Sequence, residues 1–200
     1  RQTVNANRRE APLKYATHLP ESVLTKLTEK PVPWGPVGYP VYKRTYAQRL
    51  YPENKDSPKE EFIDTLRRVI NGILTIGGAF THEELETLAY YFYNLKCLPS
   101  GRGLWQLGMP TVARIGGDSL QACWHVKMES PIDPFCFTLE ELMLGGGVGF
   151  NIRPEIVYSM PEVKYSPTVV RTSDCDCDLI VTDNREGWVE LLRKVLNSFF

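Results

Sequence analysis

Residues 123–154, CWHVKMESPIDPFCFTLEELMLGGGVGFNIRP, decide the fold class of this chain. The opening CWHVKM is typical of a β-strand, and PFCFTLEELML predicts a helix of about three turns. The following GGGVGFNIRP predicts a glycine loop that leads into a second strand. Because strand, helix and strand alternate, the segment indicates an α/β domain, which we expect to extend over residues 116–200.

The glycines of this segment, Gly145, Gly146, Gly147 and Gly149, need a physical reason, since each costs about 0.5–1 kcal/mol relative to alanine. One reason is a ligand or another backbone that approaches closely, and the alternative is a tight helix-to-strand turn. The run alone does not decide between them. It is not a Walker A loop, because no Lys-Ser/Thr follows it. It is not a dinucleotide fingerprint either, because a helix precedes it and a strand follows.

A helical domain is predicted for residues 34–115, after a flexible or extended segment at residues 1–33. Ser57-Pro58-Lys59-Glu60 has the pattern of a helix start with a capping box, and Thr81-His82-Glu83-Glu84 opens a second helix in the same way. Gly77-Gly78 is expected to end the first of these helices. Prolines exclude regular helix from residues 29–50 and favour an extended, turn-rich segment; they are Pro31, Pro33, Pro36 and Pro40.

The last 35 or so residues combine a strand-like stretch with a helix. Residues 166–182, SPTVVRTSDCDCDLIVT, are strand-like but acidic. Asp183-Asn184-Arg185-Glu186 has the pattern of a capping box, and an apolar stripe follows it: Trp188, Leu191, Leu192, Val195 and Leu196. The sequence stops within this apolar face at Phe199-Phe200, so we expect either a naturally split protein or a longer chain cut short.

Composition excludes several classes of function. With 23 basic and 24 acidic residues the net charge is -1, which gives no overall field for nucleic acid or an anionic membrane. No apolar run approaches the roughly 18 residues of a membrane span, and the N-terminus lacks the apolar core of a signal peptide, so a cytoplasmic location is expected. The five cysteines are an odd number, which favours reduced thiols.

Cys123 is the candidate redox residue, although a free cysteine in an apolar strand is usually a packing residue. Ser119, four residues earlier, is expected on the same strand face beside it. Ser100 and Arg102 lie in a predicted loop, Ser100-Gly101-Arg102-Gly103, whose donors suit phosphate oxygens. The alternative for this loop is a solvated turn or an ion pair.

The other cysteines and the histidines give no metal site. Cys97 and Cys136 are expected to be packing residues. Cys175 and Cys177 lie between aspartates, but a lone C-x-C lacks a second pair of ligands, so an exposed acidic loop is expected. His18, His82 and His125 do not cluster in the sequence, which leaves no support for a histidine metal site or a Ser-His-Asp triad.

Five separated motifs in this order resemble the N-terminal part of class II, adenosylcobalamin-dependent ribonucleotide reductases of the single-chain, triphosphate-reducing type. The motifs are WGPVGYPVYKRTYAQRL, LPSGRGLWQLG, GDSLQACWHV, ELMLGGGVGFN and DNREGWVELL. The resemblance runs from about Trp34 to the C-terminus. It implies a helical N-terminal domain followed by the first strands and helices of a ten-stranded α/β barrel, with Cys123 on the first strand as one of a redox-active pair.

The resemblance also implies a reaction. A cobalamin-derived radical makes a thiyl radical on a cysteine outside the matched region, and that radical removes the 3′ hydrogen of the ribose. The 2′ hydroxyl then leaves as water while the cysteine pair becomes a disulfide. Residues implied to face the substrate's ribose and phosphates are Ser100, Arg102, Ser119, Gly146, Gly147 and Gly149.

Partners follow from the same resemblance: a ribonucleoside triphosphate, a deoxynucleotide effector, a thioredoxin-like reductant, and the rest of the reductase in cis or in trans. Adenosylcobalamin would be bound mainly by regions outside this chain. Neither nucleic acid nor a membrane is expected as a partner. A second hypothesis is a non-catalytic nucleotide-binding or interaction module with the same fold, and a third is a folded fragment with no function of its own.

Overall fold

The computed structural model describes residues 15–51, 53–173 and 176–200. The chain divides into two compact units, Arg1–Leu120 and Gln121–Phe200. The N-terminal unit is helical, and the C-terminal unit combines helices with a small parallel sheet. Within the described residues, no helix combines the length and the apolar character needed to cross a bilayer.

The N-terminal unit is built around two amphipathic helices, α3 and α4, whose buried side chains form much of its core. Leu66, Val69 and Ile70 of α3 and Leu85 and Ala89 of α4 are almost completely buried. Full burial of such an aliphatic side chain stabilises the fold by about 1.5–3 kcal/mol. The helices of this unit are α1 Glu21–Leu27, α2 Gly38–Thr45, α3 Phe62–Thr75, α4 His82–Tyr93, α5 Gly101–Gln106 and α6 Pro110–Ile115, followed by a 3-10 helix, Gly117–Leu120.

The predicted start of α4 is confirmed. The Thr81 hydroxyl accepts a hydrogen bond from the Glu84 backbone N–H, and the Glu84 carboxylate accepts one from the Thr81 backbone N–H at 2.8 Å. The predicted end of α3 is also confirmed, because the helix stops at Thr75 and Gly77 has a positive φ of 103° that favours glycine.

The predicted start of α3 is wrong. The helix begins at Phe62, and the capping box is made by Glu61 and Asp64 rather than by Ser57 and Glu60. The Ser57 hydroxyl instead accepts a hydrogen bond from the Tyr51 backbone N–H in the preceding turn. The Glu60 carboxylate is unable to cap a helix at Ser57, because it is buried in an ion pair.

The expectation that prolines exclude helix from residues 29–50 is wrong for Pro40, which lies in the first turn of α2. A proline is tolerated there because the N–H groups of a first turn have no acceptor within the helix. Tyr42 from this helix is buried, and its ring stacks on Trp34 with 5.3 Å between the ring centres. Phe62 packs edge-on against both rings.

The C-terminal unit confirms the predicted order of strand, helix and strand. Its elements are β1 Cys123–Val126, α7 Asp133–Met143, β2 Gly147–Phe150, α8 Pro154–Val157 and α9 Arg185–Asn197. The two strands are parallel, with Cys123 beside Gly147 and Val126 beside Phe150. Two strands do not define a barrel, so the ten-stranded barrel stays a prediction.

Two local expectations for this unit are corrected. The strand-like stretch 166–182 forms no helix or strand in its described residues, where Val169, Val170 and Ile180 are exposed rather than paired in a sheet. The cap of α9 is Asn184 rather than Asp183, because the Asn184 side chain accepts the Gly187 backbone N–H at 2.7 Å. The predicted stripe of α9 is half-buried except for Trp188, which is 48% exposed.

Candidate functional site

The two-stranded sheet of the C-terminal unit has two chemically different faces. Neighbouring residues in a parallel pair point to the same side, and successive residues alternate. The register therefore puts Cys123, His125, Gly147 and Gly149 on one side, here called the open face. Both side chains of the open face, Cys123 and His125, are exposed. A thiol and an imidazole thus share a surface with two residues that have no side chain.

Helix α7 covers the opposite side of the sheet, here called the covered face. Phe137 of α7 packs edge-on against Trp124, with ring centres 5.8 Å apart, and Phe135 packs against Phe150 at 5.9 Å. These contacts join apolar side chains of α7 to the sheet, so they explain why the segment between the two strands is an amphipathic helix. They also fix which face of β1 remains accessible, since Cys123 must point away from α7.

The glycines of the run differ in what the fold requires of them. Gly145 has a positive φ of 80°, which favours glycine. A Cβ on Gly146 would lie 2.9 Å from the Trp124 indole Cδ1, so this position has no room for a side chain. A Cβ on Gly147 or Gly149 would make only ordinary contacts, at 3.9 Å from the Ala122 carbonyl oxygen and 3.8 Å from the His125 ring.

The helix-to-strand turn therefore accounts for only part of the glycine run. Gly145 and Gly146 serve the helix-to-strand turn. The packing of this unit does not explain Gly147 and Gly149, which keep the surface beside the Cys123 thiol flat. A flat strand surface beside a thiol gives another molecule access to the sulfur from the side.

The cysteines fall into distinct environments. Cys136 of α7 is 1% exposed, and burial raises the pKa of its thiol, which confirms the prediction of a packing residue. The same prediction is wrong for Cys97, which is exposed. Cys175 lies outside the described residues, whereas the Cys177 thiol donates to the Leu179 carbonyl oxygen at 3.4 Å. Among the described residues, no group of three or more His, Cys, Asp or Glu could hold a metal ion.

Two predicted phosphate contacts lie on α5 of the N-terminal unit. The predicted loop at residues 100–103 is wrong, because Gly101 begins a helix and Ser100 is its N-cap. The Ser100 hydroxyl accepts the Gly103 backbone N–H at 3.2 Å, which occupies one lone pair of that oxygen. The Arg102 guanidinium lies 5.5 Å from the centre of the Trp105 ring, a cation–π distance that steadies the side chain along the helix.

A buried ion pair, missed in the sequence, holds α5 in place. The guanidinium of Arg68 on α3 donates to both carboxylate oxygens of Glu60, at 2.7 and 3.0 Å. It also donates to the Leu104 and Leu107 carbonyl oxygens at the end of α5. Burial acts to raise the pKa of Glu60, but hydrogen bonds from Arg68 and Thr65 outweigh it and the pKa is lowered. Glu60 and Arg68 are eight residues apart and lie on either side of the start of α3. No pattern in the sequence predicts an ion pair at that spacing.

The expectation that Ser119 lies on the strand beside Cys123 is wrong. Ser119 belongs to the 3-10 helix Gly117–Leu120 at the end of the N-terminal unit. It is 3% exposed, and its hydroxyl donates to the Gly116 carbonyl oxygen at 2.7 Å. The Gly116-Gly117 pair before it favours a tight turn over a strand, and that was the available signal. The predicted site residues thus lie on two units. Of these residues, only Cys123, Gly147 and Gly149 lie in the two-stranded sheet.

Several known proteins resemble this chain in sequence. The family model for the ribonucleotide reductase alpha domain matches residues 19–109. An adenosylcobalamin-dependent ribonucleoside-triphosphate reductase of Lactobacillus leichmannii is 32% identical over 185 residues, which cover 78% of this chain and 23% of the relative. The chain resembles adenosylcobalamin-dependent ribonucleotide reductases over most of its length. Another reductase of the same description, from Euglena gracilis, is 28% identical over 82% of this chain and 24% of its own length.

A solved structure of a B-12 dependent, class II ribonucleotide reductase shares the fold of this chain. It superposes with a TM-score of 0.76 and 28% identity, covering 92% of this chain and 33% of that one. The predicted resemblance to class II reductases is confirmed. The chain spans about a quarter of the length of the curated relatives described above.

Two cavities seen on the N-terminal unit are too small for a corrinoid. Their volumes are about 350 and 590 Å³, the size of pockets that hold drug-sized ligands, and a corrinoid is much larger. The smaller cavity is lined by Phe80 and residues of α4 such as Leu88, and the larger one by residues of α1 and α4 such as Val23 and Tyr93. The chemistry proposed for this chain therefore includes no step on adenosylcobalamin.

Proposed function

We propose that this chain is the N-terminal part of a ribonucleotide reductase that converts ribonucleoside triphosphates to 2′-deoxyribonucleotides by thiyl-radical chemistry. Cys123 is one of the two cysteines that supply the electrons. The second cysteine and the thiyl cysteine come from the remainder of the enzyme, joined to this chain or assembled with it. That remainder completes the ten-stranded barrel that begins with β1 and β2.

The open face is the observation that carries this proposal. A reducing cysteine must reach its substrate, form a disulfide with a partner cysteine and then be reached by an external thiol. Cys123 is exposed on the side of β1 that α7 leaves uncovered, and its strand neighbour is Gly147. The buried Cys136 on the other side of the same unit meets none of these needs.

The substrate lies along β2 in this proposal. Gly147 and Gly149 let a ribose approach the strand backbone closely enough for its 2′ carbon to face the Cys123 sulfur. Gly146 supports that surface indirectly, because it gives Trp124 the room to fill the covered face. Ser100 and Arg102 stay proposed contacts of the triphosphate. Ser119 is a weaker one, because its hydroxyl is buried and directed at Gly116.

Cofactor and partners follow from the relatives. Adenosylcobalamin-dependent reductases match the chain over most of its length, so adenosylcobalamin is the proposed cofactor, held by residues outside this chain. A dithiol protein of the thioredoxin type is the proposed reductant, and a deoxynucleotide the proposed effector. The non-catalytic nucleotide-binding module is not favoured, since the relatives are described as reductases.

Reconstitution tests the proposal. The chain is combined with the polypeptide that supplies the remaining barrel, then supplied with adenosylcobalamin, a dithiol and a ribonucleoside triphosphate. We expect deoxynucleotide formation that Cys123→Ser abolishes. Cys97→Ser is the matched control, because Cys97 is also exposed but lies on the N-terminal unit, and it should keep full activity. Turnover that survives Cys123→Ser would contradict the role of Cys123.

A further inference from the structure

His125 shares the open face with Cys123. The two residues are separated by one residue on β1, so their side chains leave the same side of the strand with Cα atoms about 6.7 Å apart. Gly147 and Gly149 stand beside them on β2. The imidazole and the thiol are thus the only side chains of the described sheet on that face.

We infer that His125 is the acid–base residue for re-reduction of the Cys123 disulfide. The inference rests on the proposed function, since it assumes that Cys123 becomes oxidised at each turnover. Thiol–disulfide exchange needs a thiolate as the attacking group and a stabilised thiolate as the leaving group. An imidazole is the side chain whose protonation changes near neutral pH without a special environment.

The exchange balances as follows. One thiolate of an external dithiol attacks the sulfur of the partner cysteine, the bond to Cys123 breaks, and a mixed disulfide forms. The Cys123 sulfur leaves with the electron pair and takes a proton from the His125 imidazolium. The second thiol of the dithiol then gives its proton to His125 and attacks the mixed disulfide, and the partner cysteine leaves and is protonated by solvent. The dithiol is oxidised to a disulfide, and the cysteine pair gains two electrons and two protons.

Other titratable groups near this face do not take over that role. Strand β2 contributes Gly147–Phe150, none of which titrates. Helix α7 packs on the covered face and carries Asp133, Cys136, Glu140 and Glu141. Of these, Asp133 pairs with Arg193 and Glu140 with Arg185, while Cys136 and Glu141 are buried. Just past the end of β1, Lys127 pairs with Glu129.

The test separates reduction of the substrate from re-reduction of the enzyme. His125→Gln keeps a polar side chain but removes the titration, and His82→Gln is the matched control, because His82 is an exposed residue at the start of α4. Complete reductase carrying each substitution is pre-reduced and allowed one turnover without dithiol. The same preparations are then assayed at steady state with limiting dithiol, between about pH 6 and pH 8.5, the range in which an imidazole titrates.

We expect His125→Gln to give the same single-turnover yield as the unsubstituted enzyme and a roughly 10-fold lower steady-state rate near pH 6.5. The difference should shrink towards pH 8.5, because the proposed proton donor is a protonated imidazole, and protonated imidazole becomes scarcer as pH rises. Equal steady-state rates at every pH, a rate loss that does not vary with pH, or a loss of single-turnover yield would each overturn the inference. Failure of the proposed function would appear separately, as activity that survives Cys123→Ser.

Discussion

Cys123 lies directly beside Gly147 in the parallel β1–β2 pair, on the face that α7 leaves uncovered. This pairing combines a reactive thiol with a flat backbone surface. The sheet is held from the other side by Trp124 and Phe137, so substitutions on the two faces should have opposite consequences. Stability depends on the covered face, and the proposed chemistry depends on the open one.

Gly147→Val should leave the fold intact and impair turnover. The added side chain meets nothing closer than 3.9 Å, and valine is a good strand residue, so the free energy of unfolding should change by less than about 0.5 kcal/mol. The branched side chain would block the surface beside Cys123, and kcat/KM should fall at least roughly 10-fold, as expected when reacting atoms are displaced. Urea unfolding and steady-state kinetics check the two halves of this prediction.

Gly146→Ala is the matched control, and it should reduce stability rather than turnover. Its Cβ would lie 2.9 Å from the Trp124 ring, so overpacking should cost about 1–3 kcal/mol of stability. If Gly147→Val unfolds the protein while Gly146→Ala does not, the division of the glycine run into turn and open surface is wrong.

Arg68→Met should strongly destabilise the N-terminal unit. The substitution leaves the Glu60 carboxylate buried without its ion-pair partner, which costs about 3–5 kcal/mol. Arg67→Met at the preceding position is the control, because Arg67 pairs with Glu21 and Asp64 at a partly exposed site, where a pair contributes about 0–1 kcal/mol. Similar losses of unfolding free energy for both variants would argue against the anchoring role of Arg68.

Glu60 should make stability depend on pH in one direction. Because hydrogen bonds from Arg68 and Thr65 outweigh burial and lower the pKa of Glu60 in the folded state, its contribution is present above the unfolded pKa and is lost as pH falls. Unfolding free energies measured from neutral pH down to about pH 3 should fall less steeply for Glu60→Gln than for the unsubstituted chain. An unchanged slope would show that Glu60 is not the group responsible.

Thiol labelling of the native chain should distinguish the cysteines. Cys97 and Cys123 are exposed and should react with an alkylating reagent within minutes, whereas Cys136 is 1% exposed with a raised pKa and should react only after unfolding. Peptide mass spectrometry before and after denaturation gives the order. Protection of Cys123 comparable to that of Cys136 would contradict the open face.

Local signals in the sequence were enough for the elements that are fixed by their own residues. Thr81 and Glu84 cap α4 as their spacing predicts, and the strand, helix and strand around Gly145 follow from periodicity and glycine placement. Family motifs located Cys123, whose exposure follows from the alternation along β1.

Tertiary contacts overrode local signals elsewhere. The capping pattern at Ser57 failed because Glu60 is drawn into the buried pair with Arg68, a contact that no local pattern encodes. Ser119 was misplaced because the chain turns through a 3-10 helix before β1 begins. His125 was overlooked because its relationship to Cys123 depends on both residues sharing a strand, and on the sheet register that puts glycines beside them.

The central claim is that Cys123 is oxidised when the substrate is reduced. The most direct measurement is one turnover of pre-reduced complete reductase without dithiol, followed by alkylation and peptide mass spectrometry. We expect the Cys123 peptide to escape alkylation in proportion to the deoxynucleotide formed and to appear in a disulfide with a second cysteine of the reductase. A Cys123 thiol that remains fully alkylatable after deoxynucleotide has formed would contradict the claim.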